Sequence, residues 1–165
     1  MRAFDHSDEL SLQAALGWLE LGDWREANTE LENIQPALRG HPDVLQVRLK
    51  IYCKAEKWDY AAEIANALCR MLPETAFGPL HLAYTLRKLE RVADAQAALL
   101  PIADKFPDDW RIAFSLACYS CRLGNLRDAL RWIDYAIDLA GKLDIRMKAL
   151  DEKDLEPLWL NISEI

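Results

Sequence analysis

Four alanines, Ala27, Ala61, Ala95 and Ala129, recur at a constant spacing of 34 residues, each inside a similar local pattern. A unit that short cannot bury its own apolar face and must stack on copies of itself; 34 residues accommodate one helix-turn-helix. Other columns keep the same register. Ala15, Leu49, Ala83 and Ala117 lie twelve residues upstream, and Trp24, Trp58, Val92 and Leu126 lie three upstream. Ser7, His41, Thr75 and Asp109 share the slot before each first helix. Three of these are good N-caps, and His41 instead precedes Pro42, which suits a first helical turn. Gly22-Asp23 and Gly124-Asn125 mark turns inside the first and fourth pairs, while Pro73 and Pro107 close the second and third. The pattern predicts eight helices in four antiparallel pairs.

Composition agrees with an all-α chain. Ala, Leu, Glu, Arg and Lys dominate, no Val/Ile/Thr-rich alternating segment stands out, and 52% of residues are apolar against 28% charged. The start, MRAFDHSDEL, has no basic segment followed by an apolar stretch, and no run approaches the eighteen apolar residues of a membrane span. The expected compartment is therefore the cytoplasm, with Cys53, Cys69, Cys118 and Cys121 as reduced thiols. A net charge of -7 argues against nucleic acid or a membrane as partner.

Aligned on its alanines, the chain resembles the tetratricopeptide repeat family, whose pattern is W-x2-L-G-x2-Y-x8-A-x3-F-x2-A-x4-P. Leu82 with Ala83, Leu116 with Ala117, Trp18 and Tyr52 at the Tyr slot, the four alanines, and Pro73 with Pro107 all fit. Arg48 replaces the family's Leu, Ser120 its Tyr, and Glu56 and Glu90 its turn glycine. The resemblance implies a right-handed α-solenoid over residues 8–141, with repeats at about 8–41, 42–75, 76–109 and 110–141, after an N-terminal extension, 1–7. Pro79 is expected to delay the fifth helix, and Pro101 to kink the sixth. Residues 142–165, with Leu155, Leu158, Trp159 and Ile162 at helical spacing, read as a C-terminal cap, Asp154 serving as N-cap of a short final helix.

The resemblance further implies that slots 2, 5, 9, 12 and 13 of each first helix line a concave groove. The first repeat then offers Leu12, Leu16 and Leu19. Later repeats offer Lys50, Lys54, Tyr84, Arg87, Lys88, Arg111, Phe114 and Arg122, with His81 adjoining. The first helices of repeats two to four carry seven basic residues against Asp43 alone, or +6, in a chain whose net charge is -7. An acidic shell around a basic, aromatic-lined face attracts and orients an acidic segment. The expected function is a protein–protein interaction module or adaptor that binds an acidic or C-terminal peptide there. The alternative is a small secretion-type chaperone that sequesters an apolar client segment on the leucines of the first repeat. The set of Lys, Asn and Arg with which some family members grip a chaperone's carboxylate tail is not reproduced, since Gln46, Lys50, His81, Arg111 and Ser115 occupy those slots.

Chemistry is not expected. Cys118 and Cys121 have the spacing of half a redox or zinc motif, but they fall in mid-helix, away from the dipole that lowers a thiol pKa, and no second pair completes a site. His6, His41 and His81 have no paired nucleophile, and there is no Gly-rich phosphate loop. The expectation is a non-enzymatic protein with no cofactor and no metal; self-association is left open.

Overall fold

The 34-residue period reappears in the turns of the backbone. Gly22, Glu56, Glu90 and Gly124 all have positive φ, at 84°, 55°, 60° and 81°. The next amide in each case donates back across the helix end: Asp23 N to Trp18 O at 2.9 Å, Lys57 N to Tyr52 O at 2.9 Å, Arg91 N to Leu86 O at 2.9 Å and Asn125 N to Ser120 O at 2.8 Å. Each first helix therefore ends in the same left-handed cap, which satisfies carbonyls the helix cannot. At Glu56 and Glu90 the sequence departs from glycine but the backbone does not, so these two residues sit in a conformation that costs a side chain strain.

The computed structural model describes residues 3–164 and contains, among them, ten α-helices and no strand. They divide into two compact units between His81 and Leu82. In the first, α1 (His6–Glu20) pairs with α2 (Trp24–Asn33), and α3 (Pro42–Lys54) pairs with α4 (Trp58–Met71). Their core joins Ala15, Ala27, Leu31, Ile34, Val44, Val47 and Ile51. The helix α5 (Phe77–Lys88) starts in this unit, where Gly78 lies so close to α4 that a Cβ would stand 2.7 Å from Cys69 N. In the second unit α6 (Val92–Lys105), α7 (Trp110–Arg122) and α8 (Leu126–Ala140) pack in succession. The tail follows as α9 (Lys142–Asp151), a 3-10 helix (Lys153–Leu158) and α10 (Trp159–Glu164). All eight columnar residues, from Ala15 to Ala117 and from Ala27 to Ala129, are fully buried. A larger side chain at any of them would overpack a helix contact.

Several local expectations are corrected. The helix α1 starts at His6, and Asp5, not Ser7, caps it by accepting Asp8 N at 2.9 Å. His41 does cap α3, its Nδ1 accepting Asp43 N at 3.3 Å. Pro79 does not delay α5, because the helix begins at Phe77 and the proline falls in its first turn, where no intrahelical donor is needed. Pro101 does lie inside α6, as expected, and the helix continues past it. Asp154 is not an N-cap: Glu152 caps the 3-10 helix instead, accepting Asp154 N at 3.3 Å.

Two departures from the repeat pattern acquire partners on the preceding helix. Arg48 reaches Glu32 at 3.0 Å, and the fully buried Ser120 accepts Gln96 Nε2 at 2.9 Å. In each case a polar group that packing would otherwise strand is paired.

Candidate functional site

In the first unit, Lys50 and Lys54 stand exposed on α3, one turn apart, with the half-buried Cys53 between them. Burial pushes that thiol up to about 11. His81 is half-buried, its ring stacked on Phe77 at 4.1 Å and its Nδ1 2.9 Å from the Phe77 carbonyl oxygen. Leu12, Leu16 and Leu19 are partly buried against the core, whereas Leu10 is 53% exposed.

The second unit gathers more of the predicted residues. Lys88 Nζ lies 5.6 Å from the centre of the Tyr84 ring, and Phe114 meets Trp110 edge-on at 6.3 Å. Arg111 folds back on the α7 cap: its Nε and Nη2 donate to the two Asp109 oxygens at 2.8 and 2.6 Å, which holds the Asp109 carboxyl below its ordinary range. Arg87 and Arg122 face the tail. Arg87 Nη2 donates to Glu152 Oε1 at 2.7 Å, and its Nε is 2.5 Å from Asp154 Oδ2. Arg122 Nη1 is 4.0 Å from Asp154 Oδ1, while its Nη2 reaches Glu90 at 2.5 Å. The Arg87–Asp154 contact is ionic without a well-aligned hydrogen bond, and Asp154 Oδ2 has no directed donor. Burial alone would favour a neutral Arg87, but Asp154 and Glu152 outweigh it and raise its pKa.

The 3-10 helix lies on α7, whose Cys118 and Cys121 are buried near the tail carboxylates. Burial raises both thiols, and the Glu152 charge raises Cys118 further. Beside Glu152 a cleft of about 330 Å³ opens, lined by Trp110, Arg111, Phe114, Ser115, Lys148 and Asp151. Lys148 sits over the Trp110 ring at 5.6 Å. On this face the tail's carboxylates meet Arg87 and Arg122, and its 3-10 helix packs on α7. The sequence does not single out Glu152, Asp154 or Lys148 as neighbours of this face; the one signal is the charged run Asp151 to Asp154 within the tail.

No protein-family model matches the chain. No curated protein matches its sequence. Solved structures do match. TTC0263, a thermophilic TPR protein in Thermus thermophilus, is 17% identical and superposes with a TM-score of 0.74 over 94% of this chain and 82% of its own. MamA 41-end from Desulfovibrio magneticus RS-1 is 15% identical with a TM-score of 0.73, covering 98% and 96%. YrrB, a TPR protein with an unusual peptide-binding site, is 16% identical with a TM-score of 0.70, covering 90% and 77%.

Proposed function

Because the chain has the tetratricopeptide-repeat fold, we propose that it is a protein–protein interaction module, an adaptor that binds an acidic or C-terminal peptide segment of a partner on the basic faces of its first helices. The supporting observation is that Arg87 and Arg122, on two successive first helices, already hold carboxylates. In the first unit Lys50 and Lys54 carry the same chemistry on α3, and in the second Tyr84 and Phe114 add aromatic surface. The role is binding, not catalysis. All four thiols are shifted upward by burial, the opposite of what activates a nucleophile. No helix among the described residues is long and apolar enough to cross a membrane; a cytoplasmic site of action belongs to this proposal.

Titration with a synthetic acidic decapeptide at low and high salt tests it. Affinity should fall about tenfold between 50 and 500 mM salt, because contacts this exposed are screened. Lys50→Glu with Lys54→Glu should weaken it further. The exposed Leu10 and partly exposed Leu12, Leu16 and Leu19 favour a second reading, a secretion-type chaperone for an apolar client segment. Salt-independent binding of an apolar peptide that is lost in Leu12→Asp with Leu16→Asp would establish that reading instead.

A further inference from the structure

The tail shows what the α7 face accepts. Glu152, Leu155 and Leu158 recur at intervals of three, and a 3-10 helix stacks such residues along one line. Leu155 and Leu158 are 0% and 2% exposed, Glu152 and Asp154 meet Arg87, and the intervening Lys153, Glu156 and Pro157 face solvent. The seated pattern is thus acidic-x-acidic-apolar-x-x-apolar.

The seat is occupied imperfectly. Six residues is long for a 3-10 helix, whose hydrogen bonds are poorly aligned, and Pro157 within it lacks a donor. Asp154 Oδ2 has no directed hydrogen bond, and Arg122 is 4.0 Å from the other oxygen. The adjoining cleft has Asp151 and an Arg111 already held by Asp109 on its walls, and offers Lys148, over the Trp110 ring, as a cation beyond the point where the 3-10 helix begins. Any segment of the same pattern reproduces the contacts the tail makes and can add to them.

We infer that the Glu152–Leu158 segment is a resident internal ligand of the α7 face, and that the partner segment is one of the pattern acidic-x-acidic-apolar-x-x-apolar that displaces it. This rests on the binding reading above and specifies its ligand. Since the tail competes, the apparent affinity of the partner segment is the intrinsic one reduced by the fraction of molecules with the tail released.

Cys118 and Cys121 report on the seat. In the full chain carrying Cys53→Ser and Cys69→Ser, their alkylation rate is measured, with a synthetic peptide of residues 151–159 as probe. Glu152→Lys with Asp154→Lys should speed alkylation at least tenfold, the peptide should suppress that gain, and it should bind this variant at least tenfold more tightly than the unaltered tail permits. Hydrogen exchange should show the amides of 153–156 and 158 opening when the peptide binds the wild type. Glu152→Gln with Asp154→Asn, and the wild type at rising ionic strength, give the same readout should the double reversal fail to fold. Unchanged alkylation under all three conditions would mean a fixed cap and overturn the inference. Equal peptide affinity for both forms without protection of the thiols would also overturn it, yet leave acidic-segment binding standing through Lys50 and Lys54. Failure of this peptide and of the acidic decapeptide alike would sink both. A concentration-dependent dimer that the reversal dissociates would place the tail in a second copy and likewise overturn displacement.

Discussion

The faces of α3 and α7 are built on the same slots but meet different surroundings. Cys53 and Cys121 occupy one slot of the repeat, Lys54 and Arg122 the next. On α3 the two lysines are exposed and the thiol half-buried; on α7 the cysteines are 3% and 5% exposed. The repeat thus decides which side chains point to that face, and a segment from outside the repeat decides whether solvent reaches them. The charge of a basic face in such a chain therefore does not tell whether the chain's own tail covers it.

Removing Arg87 should break the contrast most sharply. Arg87→Ala leaves Glu152 and Asp154 facing one another with little water, and should cost about 3–5 kcal/mol in urea unfolding. Lys50→Ala, on the open face, should stay within about 0.5 kcal/mol. Comparable losses would mean that the two faces do not differ as described. Leu155→Ala should cost about 2–4 kcal/mol by leaving a cavity under the tail, against about 1 kcal/mol for the partly exposed Leu12→Ala.

Helix starts come next in size. Asp109→Ala and His41→Ala should each cost about 1 kcal/mol as lost N-caps. The Asp109 carboxyl is held low chiefly by Arg111, so its contribution is present above the ordinary carboxylate range, about pH 4, and is lost as pH falls through the folded value. Asp109→Asn keeps an accepting oxygen at the cap and should flatten acid unfolding below about pH 4 relative to wild type. The smallest effect is a gain. Glu56→Gly should raise stability by about 0.5–1 kcal/mol, seen as a higher Tm, by relieving the left-handed strain. Glu90→Gly should gain less, because it also removes the ion pair with Arg122.

The helix pairs were legible because their causes are local and repeated: small residues where helices cross, and a turn every 34 residues. Asp109 and His41 cap their helices in the slots the register gives, whereas the caps expected at Ser7 and Asp154 fall two residues earlier, at Asp5 and Glu152. Asp5 competes with Ser7 for one helix start, and a histidine ring nitrogen serves where a hydroxyl or carboxylate is the usual choice. The left-handed Glu56 and Glu90 could not be read from their own identity, only from their place in the register. The basic residues of α5 and α7 were legible as a group, but their pairing with Glu152 and Asp154 was not. No helical or strand periodicity connects Arg87 with a carboxylate 65 residues away, and an acidic residue before Leu155 reads equally well as a cap.

That separation has a consequence in time. Gln96 and Ser120 are 24 residues apart and Arg48 and Glu32 only 16, so the contacts between neighbouring helices can close as each pair is completed. Arg87 and Glu152 are 65 apart. At ribosomal speeds of about 5–20 residues per second, the arginine precedes its carboxylate out of the ribosome by about 3–13 s. For the last 30 of those residues, about 1.5–6 s, the nascent chain carries both arginines and a completed α7 whose tail has not yet been made, and that face is open to other acidic segments.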